Sequence, residues 1–234
     1  STLPLAIISG SGDDVVIGGQ GDDVIHSGRG NDIVFGRSGS DTIDSVEDNQ
    51  LTLDQDIIFG DDGLVAYETA SGIAIIDSRL TGQKRLPSGD YRILEIRSVD
   101  GGAPGDDILT SGRGADILVG GLGSDSLTSR DGDDILIGDS GRISYNLGRI
   151  SSIESTDSSD QSGTDDLLSG GDGANHLIGG LGNDEITSGV VSPNRLTTVL
   201  GDLGKVSLSF DGGTGVNSVA SMTSSYPGLG GNDL

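Results

Sequence analysis

A nine-residue period constrains this chain more than any other feature of its 234 residues. From Ser9 the sequence divides into SGSGDDVVI, GGQGDDVIH, SGRGNDIVF and GRSGSDTID. A second block runs from Gly102 as GAPGDDILT, SGRGADILV, GGLGSDSLT and SRDGDDILI, and a third runs from Gly163 as GTDDLLS, GGDGANHLI and GGLGNDEIT, its first unit being short. A unit this small cannot bury a hydrophobic face alone, so the units must stack on one another.

Two positions of the unit keep one chemical character throughout. The sixth position is always acidic or amide: Asp14, Asp23, Asp32, Asp41, Asp107, Asp116, Asp125, Asp134, Asp166, Asn175 and Asp184. The eighth position is always aliphatic: Val16, Ile25, Val34, Ile43, Leu109, Leu118, Leu127, Leu136, Leu168, Leu177 and Ile186. The pattern predicts one polar edge and one apolar interior line for every repeat.

A longer period lies over the short one. Each block ends in an apolar strand and a GDxG turn, DIIFGDDGLVAY, DILIGDSGRISY and TTVLGDLGKVSL, with Asp61, Asp139 and Asp202 in the turns. We therefore predict one continuous elongated fragment: block 1 with its GDxG turn at 1–63, an insertion at 64–101, block 2 at 102–141, an insertion at 142–162, block 3 at 163–201, an insertion at 202–226 and the start of a further block at 227–234. The insertions are expected to form short extended hairpins packed against the blocks.

Composition limits the alternatives. With 42 glycines, 3% aromatic and 32% hydrophobic residues, the chain lacks the material for a large single core. Low hydrophobicity and a net charge of −24 would also suit disorder, but disorder does not require acids at fixed spacing. The charge disfavours nucleic acid and anionic membranes as partners and favours cations.

The chain has no cysteine, no apolar run long enough to span a membrane and no signal-peptide pattern at its start. It begins and ends within the repeat pattern, so we expect any targeting signal to lie outside it.

Stacking of the repeats points to a ligand. Glycine permits the tight turns, and two repeats are expected to form one coil, with the eighth-position side chains inside and strands about 4.8 Å apart. Asp14 then lies beside Asp32 on one edge, and Asp23 beside Asp41 on the other. Neighbouring carboxylates about 5 Å apart repel by roughly 1 kcal/mol even in water. A divalent cation between them reverses the sign of that interaction.

Calcium suits these edges best. It accepts six to eight oxygen ligands in irregular geometry, whereas magnesium requires a strict octahedron. Zinc and other transition metals favour His or Cys, and this chain has two His and no Cys.

The units GGQGDDVIH, GGLGSDSLT and GGLGNDEIT resemble the GGxGxDxUx nonapeptide of the RTX (repeats-in-toxin, hemolysin-type) family. That resemblance implies an all-β fold, a right-handed parallel β-roll interrupted here by the insertions. It further implies calcium between alternate loops and export by type I secretion, hence a secreted, extracellular or bacterial cell-surface protein.

The family's ligand scheme, carried over, assigns the sixth-position Asp as side-chain ligand and the loop carbonyls as the rest of the shell. The implied pairs are Asp14 with Asp32, Asp23 with Asp41, Asp107 with Asp125, Asp116 with Asp134, and Asp166 with Asp184. The implied carbonyl donors are Gly10, Gly12, Gly19, Gly21, Gly28, Gly30, Gly112, Gly114, Gly121, Gly123, Gly171, Gly173, Gly180 and Gly182. Asn175 departs from the pattern and predicts a weakened site, and Asp56 has the right register but no glycine loop before it.

Other side chains carry weaker signals. The fifth-position acids Asp13, Asp22, Asp106, Asp133 and Asp165 are expected to face solvent or shape the loops. The GDxG aspartates suit turn capping and calcium ligation equally. His26 and His176 are expected on the surface, and no nucleophile motif accompanies them, so we predict no catalytic residues and no enzyme.

Three function classes follow. The first is a structural, adhesin-like segment of a large secreted or cell-surface protein that folds on calcium binding after export. It would contact neighbouring repeats or a cell-surface partner, without membrane insertion. The second is a secretion and folding module attached to an enzyme or toxin elsewhere in the parent chain. The third is a carbohydrate-binding roll, which would require an aromatic or basic cleft.

Overall fold

The computed structural model describes residues 3–46, 53–80, 86–99, 103–157, 164–190, 197–210 and 217–224. These residues form three seven-stranded sheets, here called A, B and C. The predicted block at 227–234 lies outside the described residues. In the ranges given, no helix is long and apolar enough to cross a membrane.

Sheets A and B are parallel and alternate along the chain. In spatial order, sheet A contains β1 (Ala6–Ser11), β3 (Val24–Arg29), β5 (Thr42–Asp44), β10 (Ile108–Thr110), β12 (Ser126–Thr128), β16 (Leu167–Ser169) and β18 (Glu185–Thr187). Sheet B contains β2 (Val15–Gln20), β4 (Ile33–Ser38), β6 (Ile57–Phe59), β11 (Ile117–Val119), β13 (Ile135–Ile137), β17 (His176–Gly180) and β19 (Thr198–Asp202). The chain thus makes one A strand and one B strand per coil.

The register follows the repeat. Ile25 lies beside Ile43, and Leu109 lies between Ile43 and Leu127, so eighth positions stack on eighth positions. The same register continues across the first two insertions, because β5 pairs with β10 and β13 pairs with β17. The expected parallel β-roll is therefore confirmed, and the insertions interrupt the chain without interrupting the sheets.

The inner core lies between sheets A and B. It consists of the eighth-position side chains, with Ile58 added where the sequence shows no glycine repeat. Ile25, Leu109 and Leu136 have no exposed surface. Successive side chains of a strand point to opposite faces, so each three-residue strand gives one side chain to this core.

The insertions join into one antiparallel sheet. In spatial order, sheet C contains β8 (Gly72–Asp77), β7 (Gly63–Thr69), β9 (Tyr91–Ser98), β14 (Gly141–Asn146), β15 (Arg149–Ser155), β20 (Gly204–Phe210) and β21 (Asn217–Ser224). Hairpins β7–β8, β14–β15 and β20–β21 are linked by the pairs β9–β14 and β15–β20. Each hairpin begins at the last glycine of a GDxG turn, which is Gly63, Gly141 or Gly204.

A second core lies between sheets B and C. The seventh- and ninth-position side chains of sheet B, among them Ile33, Phe35 and Phe59, pack against Val65 and Tyr67 of sheet C. The Phe35 and Phe59 rings stack with centroids 5.1 Å apart. Sheet C therefore buries the outer face of sheet B, and the second core includes large aromatic residues.

The three sheets grow at the same rate along the described chain. Block 1 with its insertion contributes three strands to each sheet. Blocks 2 and 3 with their insertions contribute two strands to each sheet. Strand spacing is similar in all sheets, about 4.8 Å, so the hairpins keep pace with the coils beneath them.

Candidate metal centre

Two ladders of aspartates run along the roll. The B-edge ladder precedes the sheet B strands and contains Asp14, Asp32, Asp56, Asp116, Asp134 and Asn175. The A-edge ladder precedes the sheet A strands and contains Asp23, Asp41, Asp107, Asp125, Asp166 and Asp184. In each ladder the backbone N–H of one rung donates to the Oδ1 of the next, as from Asp107 to Asp125 at 2.8 Å.

The structure brings together all five residue pairs that the sequence predicted. It also joins rungs that are far apart in sequence: the Asp41 N–H donates to Asp107 Oδ1 at 2.6 Å, and the Asp125 N–H donates to Asp166 Oδ1 at 2.8 Å. The first and second insertions are therefore each bridged by the ladder that they interrupt. Asp14, at the end of the roll, is only half-buried, whereas the other predicted aspartates are at most 3% exposed.

The second carboxylate oxygen of most rungs is buried without a hydrogen-bond donor. This holds for Oδ2 of Asp23, Asp32, Asp41, Asp107, Asp116, Asp125, Asp134 and Asp166. Buried polar atoms in proteins are nearly always satisfied, and an ionised oxygen without a partner is the costliest exception. The fold therefore leaves a buried carboxylate oxygen without a hydrogen-bond donor at one rung after another.

Burial raises the pKa of these carboxyls. The pKa rises to about 9 for Asp107 and Asp166 and to about 8 for Asp125, with desolvation as the largest cause and neighbouring carboxylates adding to it. Backbone N–H donors act in the opposite direction without cancelling the effect. A site that penalises its own negative charge in this way is suited to a proton or a cation.

Asn175 differs from the aspartate rungs because its side-chain amide carries its own hydrogen-bond donor. Its Nδ2 donates to the carbonyl oxygens of Gly170 at 2.5 Å and Gly171 at 3.1 Å. An aspartate in the same place would aim a second oxygen at those carbonyls. The amide supplies the positive partner that the other rungs do not contain, so this rung satisfies itself without a cation.

Oxygen atoms lie close to the first glycine of each A-edge turn. A Cβ added at Gly18 would lie 2.7 Å from Asp23 Oδ2 and 2.7 Å from the Gly36 carbonyl oxygen. Equivalent oxygen pairs border Gly36, Gly60, Gly120, Gly138 and Gly179. At Gly170 the Asn175 amide nitrogen lies 2.9 Å from the same position. A carboxylate oxygen without a donor and a carbonyl oxygen that lie near the same point form an oxygen-only cradle of the type that suits calcium.

The predicted loop glycines are required by this geometry. All of them except Gly112 have a positive φ. A side chain at Gly30 would also collide with the carbonyl oxygen of Gly12 in the coil below. Turn carbonyls and turn Cα atoms are thus in direct contact from coil to coil.

The two edges differ at the first position of the turn. Glycine precedes the A-edge aspartates, whereas Ser27, Ser45, Ser111 and Ser129 precede B-edge aspartates. The Ser27 hydroxyl lowers the pKa of Asp32, although burial still raises it overall to about 6, and the hydroxyl geometry does not complete a hydrogen bond. At this first position the turns of the A edge therefore place no serine hydroxyl beside the ladder carboxylates, whereas those of the B edge do.

The sequence predicted the role of some acidic residues incompletely. Asp56 is a full rung, since the Asp32 N–H donates to its Oδ1 at 2.9 Å and its own N–H donates to Asp116. The signal was its register before the GDxG turn. The fifth-position acids are exposed and accept N–H groups from the next coil, as Asp106 does from Ser124 at 3.0 Å.

The two histidines lie on different sheets and differ in burial. His26 is exposed, 3.6 Å from Asp44. His176 is half-buried at the sheet B face that meets sheet C, with Nδ1 2.6 Å from Thr198 Oγ1, which corrects its expected surface position. Burial lowers the pKa of His176.

The comparison with protein-family models identifies the repeats. The RTX calcium-binding nonapeptide repeat matches in four copies, at residues 8–43, 102–127, 110–142 and 161–190. These repeats belong to the RTX family. Comparison with curated proteins and with solved structures found no significant match.

RTX repeats bind calcium, and the buried aspartates of this chain fit that ion. Among the described residues, no three His, Cys, Asp or Glu side chains come together as a metal-holding group. The RTX family module itself is a structural calcium-binding unit.

Proposed function

We propose that this chain is a calcium-folded structural segment of a large secreted or cell-surface protein. The ligands are the sixth-position aspartates, with Asp56 added to the predicted set, and the carbonyl oxygens of the glycine turns. The observation that carries the proposal is the row of buried Oδ2 atoms without donors on both ladders.

Calcium acts as the missing partner of each rung. When bound only by the folded chain, it stabilises the fold by about 2.7 kcal/mol per site at a hundredfold excess over Kd. Several such sites along two ladders separate an unfolded chain at low calcium from a folded chain at high calcium. This difference supports export in an unfolded state followed by folding outside the cell.

The adhesin-like role is supported by the way the sheets grow. Roll and hairpins lengthen by equal numbers of strands, so further units extend the molecule without disturbing existing contacts. We infer a structural rather than catalytic role, since the carboxylates recur along an edge and do not form one isolated couple.

Calcium-coupled folding is tested by far-UV circular dichroism in EDTA, followed by titration with calcium and, separately, with magnesium. We expect β-structure to appear with calcium at far lower concentration than with magnesium, because the cradle is irregular and rich in carbonyl oxygens. A fully folded β spectrum in EDTA at neutral pH, unchanged by calcium, would contradict the proposal.

A further inference from the structure

Two turns of the A edge are split between distant segments. In a continuous turn, such as 120–125, one segment supplies every position from the first glycine to the aspartate. In the split turns, Gly60 and Asp61 precede an insertion whose far end supplies Asp107. Gly138 and Asp139 have the same relation to Asp166 across the second insertion.

The second position of a split turn carries an acid. Three of the continuous A-edge turns have glycine there, namely Gly19, Gly121 and Gly180, and the fourth has Arg37, whereas the split turns have Asp61 and Asp139. Asp61 Oδ2 accepts the Leu122 N–H of the next coil at 2.8 Å. Asp139 accepts the Leu181 N–H in the same way. One carboxylate oxygen therefore caps the turn that follows.

The second carboxylate oxygen of Asp61, Oδ1, does not take part in this capping. Asp61 is 9% exposed, and its Oδ1 is buried without a hydrogen-bond partner. The adjacent Asp62 differs, since its Oδ1 accepts from Arg37 Nε at 2.8 Å and from the Ser78 hydroxyl at 2.5 Å. Capping and ion pairing thus account for Asp62 but leave half of the Asp61 carboxylate unexplained.

Asp61 lies within electrostatic reach of the A-edge rungs. Its charge raises the pKa of both Asp107 and Asp125, and Asp41 acts on Asp61 in turn. Asp139 acts on Asp166 similarly. A Cβ at Gly121 would lie 2.6 Å from Asp61 Oδ2, so the glycine of the next turn leaves room for this carboxylate.

We propose that Asp61 and Asp139 are additional calcium ligands that complete the split turns. The inference rests on calcium binding by the ladders, as proposed above. At each split turn the cation joins the two ends of an insertion, with one carboxylate from before the insertion and one from after it. Calcium at these positions therefore fixes the bases of sheet C as well as the roll.

The test is isothermal titration of the full chain with calcium, comparing wild type with Asp61→Asn. Asparagine keeps a carbonyl oxygen for the Leu122 N–H and replaces only the unpartnered oxygen. We expect the loss of one ion, or one site weakened by at least about tenfold, the loss typical even of groups that merely support a metal ligand. Asp139→Asn is expected to act alike at the other split turn.

Asp106→Asn is the matched control, because Asp106 is an exposed acid of the same turn whose oxygen already accepts an N–H. Wild-type stoichiometry and affinity in both Asp61→Asn and Asp139→Asn would overturn the proposal. If Asp61→Ala alone reduced stability, the role of Asp61 would be capping only. Loss of an ion in Asp125→Asn without any effect of Asp61→Asn would sink this inference while leaving the ladder proposal intact, whereas a wild-type chain that binds no calcium would refute both.

Discussion

At the scale of single residues, a buried ladder carboxyl is stabilised either by a proton or by a cation. Burial raises the folded-state pKa from the ordinary 3.8 to about 6 for Asp32 and to about 9 for Asp107. The metal-free folded chain therefore binds protons more tightly than the unfolded chain. Its stability rises as pH falls from about 9 towards 3.8 and is lost as pH rises through the same window.

We accordingly expect opposite pH dependences with and without calcium. In EDTA, far-UV circular dichroism should show little β-structure at the top of this window and more β-structure as pH falls through it. With saturating calcium, thermal unfolding should shift to lower temperature as pH falls, because protons compete for the same oxygens. Added salt is the control, since it screens exposed charges but not buried ones. Parallel pH dependences in the two series would contradict the assignment.

The sequence located most of the ladder because each rung needs only a local pattern, a glycine turn followed by Asp. Asp56 was incompletely placed because no glycine loop precedes it, and only its pairing with Asp32 and Asp116 defines it. Asp61 stayed ambiguous for a related reason, since its partner Leu122 belongs to another block. Contacts between distant segments leave no fixed spacing in the sequence.

At the scale of elements, the second core had a signal in the sequence. In alternate repeats the seventh, eighth and ninth positions are all apolar, as in Ile33–Phe35, whereas the intervening repeats carry polar residues such as Thr42 and Asp44. A strand that is apolar on both faces is covered on both faces. The order of strands in sheet C was not predictable, because pairing of β9 with β14 depends on the coils that bring the hairpins together.

Phe59→Ala should test this second core. Phe59 is 1% exposed and stacked on Phe35, so its truncation is expected to cost about 3–5 kcal/mol of unfolding free energy. Denaturant unfolding in saturating calcium measures the loss. Ile8→Ala, at a side chain 78% exposed on sheet A, is the control and should change stability by less than about 0.5 kcal/mol. Equal losses in the two variants would argue against the packing of sheet C on sheet B.

At the scale of the whole molecule, the fold depends on matched strand numbers in three sheets. Deletion of 117–134 would remove one strand each from sheets A and B but none from sheet C. The hairpin of β14 would then be displaced from β9 by about one strand spacing, 4.8 Å. The roll and sheet C could no longer both keep their contacts.

We expect this deletion to lower the calcium-bound melting temperature and broaden the transition. Deletion of 6–23 is the matched control, because it removes one coil from the end of the roll and shifts no hairpin against another. Calorimetry of both variants measures the difference. A sharp transition near the wild-type temperature for the internal deletion would show that sheet C is not tied to the coil count.

Matched strand numbers also restrict how a gene for such a molecule can lengthen. Duplication of one nonapeptide would exchange every later strand between sheets A and B, which would expose the apolar outer faces of the sheet B strands. Duplication of one coil would leave a hairpin behind. Only the copying of a whole block together with its insertion preserves every existing neighbour. The architecture therefore favours duplication of a whole block with its insertion. We expect the gene to contain tandem copies of that size.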